Sequence, residues 1–132
     1  MTKKLLTPPS LDDLETIALG AMKTIPGELA RHVHNVVIQV RDFPDRQTER
    51  EIGLKSPFDL LGLYQGVSLD RKSVAWTATD QDRIFLYRRP ILDYWCEEGG
   101  DLAHIVRHVL VHEIGHHFGL SDADMERIES GG

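Results

Sequence analysis

The sequence is poor in several features that define whole classes of protein. It contains a single cysteine, Cys96, which excludes an internal disulfide framework and fits a reducing compartment such as the cytoplasm. No window approaches the ~18 apolar residues that a membrane helix needs. The basic start MTKK also lacks the apolar run of a signal peptide. We therefore expect a cytoplasmic protein in which Cys96 is a small buried side chain.

Basic residues are also fewer than acidic residues. The chain carries 15 basic against 21 acidic residues, a formal net charge of −6, which argues against nucleic acid or an anionic membrane as a partner. Its 132 residues, 41% of them hydrophobic, can bury one compact core but not two. We expect a loose lead over residues 1–9 and a single domain over residues 10–132.

Capping signals followed by apolar residues at helical spacing predict three helices. Ser10 and Asp13 form a capping box at the start of the first helix. Asp101 caps a second helix that should end near Gly119. A short third helix, DADMERIE, follows a further capping box that begins at Ser121.

Segments with strand character lie between the first and second helices. They are VHNVVIQV, LLGLYQG and RIFLYR, at residues 33–40, 60–66 and 83–88, with SVAWTAT at 73–79 as a weaker fourth. The polar run DRQTERE at residues 45–51 is typical of a solvated loop. Three or four strands between an N-terminal helix and two C-terminal helices predict an α+β domain.

The segment HEIGHHFGLSD, residues 112–122, concentrates side chains that bind metals. His112 and His116 stand one helical turn apart, so both imidazoles can reach one zinc ion at about 2.0–2.1 Å. Glu113 lies near the same cleft without needing to bind the metal, and there it can deprotonate a zinc-bound water. This is the division of labour of an H-E-x-x-H site.

A third ligand must come from outside H-E-x-x-H, because a catalytic zinc usually has three protein ligands and one open position. Gly119 can adopt the left-handed conformation that ends a helix and turns the chain back. The next three residues span roughly 10 Å, whereas the midpoint between the two histidines lies about 7.5 Å behind the glycine. Asp122 is therefore the predicted third ligand, and Glu126, one turn later, is the alternative.

Other candidate residues have simpler interpretations. His104 and His108 continue the four-residue step, but each step rotates them about 40° further from the zinc. His117 lies about 140° round the helix from the first motif histidine and is either a surface residue or a substrate contact. Tyr87 and Tyr94 are candidates to stabilise an oxyanion.

The motif extends to H-E-x-x-H-x-x-G-x-x-D, and in this form it matches the pattern of metzincin-like zinc peptidases. Over roughly residues 55–128 the chain resembles the small bacterial minimal zincins. The resemblance implies a zinc-binding fold with His112, His116 and Asp122 as ligands and Glu113 as the catalytic base.

The expected function is peptide hydrolysis that depends on one zinc ion per chain and on Glu113 as the base. The expected partner is a peptide or protein substrate, which the strand RIFLYR is a candidate to hold by β-augmentation. Two alternatives stay open: an interaction module stabilised by zinc, and a hydrolase of non-peptide substrates. The presence of Glu113 counts against the module, because a structural zinc site would not need that residue.

Overall fold

Over the residues that the structure describes, the fold combines six α-helices with a three-stranded mixed sheet, and this confirms the predicted α+β class. The computed structural model describes residues 7–31, 33, 36–66 and 81–130. The first helix, α1 (Leu11–Met22), starts at the predicted capping box, in which Ser10 and Asp13 each accept the backbone N–H of the other. A single turn, α2 (Gly27–Ala30), follows it.

The sheet has the order β1-β3-β2, formed by β1 (Val37–Arg41), β2 (Gly62–Gln65) and β3 (Arg83–Tyr87). β3 pairs in parallel with β1 and antiparallel with β2, so it is the central strand. The prediction that RIFLYR holds a substrate is therefore wrong, because a strand paired on both sides has no edge to offer. The segment SVAWTAT lies outside the described residues.

The helix α3 (Arg46–Ile52) occupies the segment 45–51 that was predicted to be a loop, so that prediction is wrong. Asp45 caps the helix by accepting the Thr48 N–H at 2.8 Å. Gly53 ends it in the left-handed conformation at φ 81°. α3 buries none of its residues, so its caps, and no apolar face, are the signals that mark it in the sequence.

The helix α4 (Arg88–Glu98) follows β3 directly and was not predicted. Pro90 stands in its first turn, where the missing proline N–H costs no helical hydrogen bond. Pro90 and Ile91 are buried in the core. Cys96 lies about 140° round the helix from Ile91 and is exposed, so the expectation of a buried thiol is wrong.

The two predicted C-terminal helices are present as α5 (Leu102–His117) and α6 (Asp122–Glu129). α5 packs against α1, β2 and α6. Its buried face carries the apolar residues Leu102, Ile105, Val106, Val109, Leu110, Val111 and Ile114. This apolar face fixes the rotation of α5 about its axis, and with it the direction of the histidines. Within the described part of the chain, no helix has the length and apolarity needed to cross a membrane.

Candidate metal centre

The turn after α5 brings the start of α6 back beside the motif histidines. Gly119 has φ 81°, the left-handed conformation that the sequence predicted. Its N–H donates to the carbonyl of His116 at 3.1 Å, and the Leu120 N–H donates to the carbonyl of Gly115 at 2.8 Å. This pair of bonds is a Schellman motif, which ends the helix and satisfies its last carbonyls. α6 then begins at Asp122.

A buried methionine holds α6 against α5. Met125 is fully buried, and a Cβ atom built on Gly115 would overlap its Sδ and Cγ atoms. Gly115 therefore leaves the space that the methionine fills, which explains a glycine inside a helix despite its cost of about 1 kcal/mol relative to alanine. Gly115 lies between the two motif histidines in the chain, so this contact fixes α6 next to them.

The structure brings the three predicted ligands together. We call the residues His112, His116 and Asp122 the motif triad. Each offers one ligand atom, and each of these atoms lies within 4.8 Å of the other two. His116 Nε2 and Asp122 Oδ1 are 3.1 Å apart. Tetrahedral zinc with bonds of about 2.0–2.2 Å places neighbouring donor atoms about 3.4 Å apart, so this donor set fits zinc. The side chains are 26%, 54% and 85% exposed in chain order, and the triad opens to solvent.

The side chain of Glu113 is held by β2, which is an edge strand among the strands that the structure describes. Its Oε1 atom accepts the backbone N–H of Tyr64 at 3.1 Å. Burial raises the pKa of Glu113, and the Tyr64 hydrogen bond and the charge of His116 oppose this shift. A Cβ atom on Gly62 would meet Val109 at 2.7 Å and the Glu113 Cγ atom at 3.5 Å, so the glycine lets β2 approach the helix. The result is a fixed carboxylate with an increased affinity for protons.

His117 packs the end of α5 against β2, a role that the sequence analysis did not consider. Its ring stacks on Tyr64 with a centroid separation of 3.9 Å and an interplanar angle of 16°. A Cβ atom on Gly66 would lie 2.9 Å from the same ring. Burial, followed by the hydrogen bond to Asp82, raises the pKa of Tyr64 well above its usual range. This aromatic stack supports the strand that holds Glu113.

A second group of potential ligands overlaps the motif triad. We call the residues His108, His112 and Glu129 the second group. Each of them also offers one ligand atom, and these atoms lie within 4.8 Å of one another. Burial lowers the pKa of His112, and the charge of His108 lowers it further. The sequence analysis missed Glu129. Glu126, the alternative third ligand, is exposed and belongs to neither group.

The two tyrosines that were candidates for an oxyanion role differ in their surroundings. Tyr94 is exposed on α4. Tyr87 is buried at the end of β3 and stacks on Phe85. Burial, with a smaller effect of Asp45, raises the pKa of Tyr87 to about 12.

The fold and the motif define a class: a small zincin-like domain, in which an H-E-x-x-H helix packs against the edge strand of a mixed sheet. A family model described as zincin-like metallopeptidase matches residues 33–132, which is more than half of the chain. The chain therefore belongs to the zincin-like metallopeptidase family, as its motif predicted, and membership implies zinc. The comparison with curated proteins gives no match.

Proposed function

We propose that the chain is a zinc-dependent peptidase in which His112, His116 and Asp122 hold one zinc ion and Glu113 is the general base. The observation that supports this most strongly is that three ligand atoms suited to zinc, two from α5 and one from the start of α6, lie together beside a half-buried, hydrogen-bonded glutamate of α5. Zinc bound there would polarise a substrate carbonyl and lower the pKa of a bound water to about 7.

Glu113 would move the proton during the reaction. The Tyr64 N–H occupies its Oε1 atom, so Oε2 is the oxygen left to accept a proton as the water adds to the substrate carbonyl carbon. The carboxylic acid formed in this way would then donate that proton to the leaving amine nitrogen as the C–N bond breaks. The raised pKa of Glu113, caused by burial, favours the acceptance of the proton.

The outer edge of β2 would position an extended substrate. The Tyr87 N–H donates to the carbonyl of Leu61, just before β2, at 2.9 Å, so Leu63 and Gln65 of β2 also direct their backbone groups at β3. Tyr64 faces the other way, as its N–H bond to Glu113 shows. Among the described strands, β2 has no partner on this side. An extended peptide could therefore pair with the Tyr64 carbonyl and the Gly66 N–H, directly beside the base.

The test is a digest of a peptide library with wild type and Glu113→Gln, with and without a chelator, alongside metal analysis. Glutamine keeps the size of the side chain and the acceptor for the Tyr64 N–H, but it cannot act as a base. We expect unchanged zinc content and a loss of turnover of about 10²–10⁴-fold. Glu126→Gln is the matched control, because Glu126 is exposed and outside both ligand groups.

Two results would contradict the proposal. Equal turnover of wild type and Glu113→Gln would remove Glu113 from the mechanism. A wild type that holds zinc but cleaves no peptide would favour the zinc-stabilised interaction module or the hydrolase of non-peptide substrates.

A further inference from the structure

The second group lies one helical turn before the motif triad on the same side of α5. The rings of His108 and His112 have centroids 4.1 Å apart. A carboxylate oxygen of Glu129 is 3.0 Å from His108 Nδ1 and 3.3 Å from His112 Nε2. These separations are close to the spacing of about 3.4 Å between neighbouring donors of a tetrahedral zinc ion. Two imidazole nitrogens and a carboxylate oxygen are also a ligand set that zinc accepts.

The carboxylate of the second group is much better shielded than that of the motif triad. The Glu129 side chain is 13% exposed, whereas the Asp122 side chain is 85% exposed. Glu129 is fixed there because its neighbours on α6, Met125 and Ile128, are buried in the core. Shielding a carboxylate from water is costly unless hydrogen bonds or a cation compensate for it. His108 Nδ1 and His112 Nε2 compensate Glu129 here as hydrogen-bonding partners at 3.0 and 3.3 Å, and a cation bound among the three groups would take over that role.

We propose that His108, His112 and Glu129 form an alternative position for a divalent cation of the zinc class. His112 belongs to both groups, and Glu129 meets it at the Nε2 atom. When the motif triad uses this same Nε2 atom, one ion occupies one position or the other, and the two positions exclude each other. The binding itself depends only on the second group. The consequence for activity rests on the proposed function: an ion in the second group leaves His116 and Asp122 without their shared histidine, and the chain is then inactive.

Titration of the chelator-treated protein with Co²⁺ tests this inference, read by metal stoichiometry and by the visible absorption of the bound ion. His116→Ala disables the motif triad and leaves the second group intact. We expect this variant to bind one Co²⁺ per chain, more weakly than wild type and with a different spectrum. Adding Glu129→Gln or His108→Ala should weaken that binding by at least about 10–100-fold, the loss typical even of residues that only support a ligand.

His104→Ala in the His116→Ala background is the matched control. His104 is exposed, lies one turn further along the same line of histidines, and belongs to neither group, so Co²⁺ affinity should not change. The inference is overturned if His116→Ala binds no Co²⁺. It is also overturned if the binding by His116→Ala is insensitive to both Glu129→Gln and His108→Ala.

The wild-type background separates failure of this inference from failure of the proposed function. A larger loss of zinc affinity in Asp122→Ala than in Glu129→Gln supports the motif triad as the principal site. The reverse order would make the second group the principal site, and it would overturn the ligand set of the proposed function while the further inference stands.

Discussion

The motif triad and the second group share one histidine and differ in how their carboxylate is held. Asp122 is the first residue of α6, directly after the Schellman turn, and its side chain is almost fully in solvent. Glu129 is the last residue of the same helix, and the packing of α6 into the core shields it. The motif therefore identifies the carboxylate nearest in the chain, whereas tertiary packing decides which carboxylate is enclosed.

The largest effect should come from the residue that both groups need. We expect His112→Ala to abolish stoichiometric zinc binding, because each group keeps only two ligands and two ligands rarely hold zinc against solvent. Metal analysis after equilibrium dialysis measures this. Stoichiometric zinc in His112→Ala would show that neither group is the metal site.

The third ligand should give the next largest effect. We expect Asp122→Ala to weaken zinc binding by at least about 10–100-fold. Glu126→Ala should leave it nearly unchanged, because Glu126 belongs to neither group. Competition with a zinc chelator measures both affinities. A larger loss in Glu126→Ala would make Glu126 the ligand and would contradict the position of Asp122 beside His116.

The contact that both groups depend on can be broken without touching a ligand. We expect Gly115→Ala to lower the free energy of unfolding by about 1–3 kcal/mol, because the new methyl group overlaps Met125. Urea unfolding of the chelator-treated protein measures this. Gly20→Ala in α1 is the control of opposite sign, because nothing lies within 4 Å of its Cβ position and alanine favours helix. Equal stability of Gly115→Ala and wild type would contradict the packing that places α6.

The smallest effect concerns the carboxyl group of Glu113 in the absence of metal. Burial raises the pKa of Glu113 above 4.5, so the folded protein holds that proton more tightly than the unfolded chain does. The side chain therefore destabilises the fold as the pH rises through its folded pKa. We expect Glu113→Gln to stabilise the chelator-treated protein modestly at neutral pH, and the gain should vanish below about pH 4.5. Urea unfolding across this range measures it, and a gain independent of pH would contradict the assignment to ionisation.

Local signals made several elements of the fold predictable. The capping boxes at Ser10 and Ser121 act within three residues of the chain, and the structure contains both. α3 was missed although Asp45 caps it, because a helix with no buried residue has no apolar stripe for periodicity to detect. The strand order was beyond the sequence, since nothing local in β3 distinguishes a central strand from an edge strand.

In the candidate site, too, the features set by local chain geometry were predictable, and those set by tertiary packing were not. The spacing of His112 and His116 is a property of one helix. The left-handed Gly119, which follows that helix closely in the chain, turns the chain back and places Asp122 beside His116. Glu129 lies about two turns further along α6, and only the burial of its neighbours brings it to the histidines. The Tyr64 donor comes from 49 residues before Glu113, so no rule of spacing predicts it.

The hydrogen bond that holds Glu113 comes from the main chain of β2. Any substitution at position 64 except proline keeps that N–H, even if the aromatic stack with His117 is lost. Mutation of a side chain on the strand therefore leaves the hydrogen bond that orients the glutamate in place. The side chains along β2 can therefore vary while the backbone N–H keeps the glutamate in place.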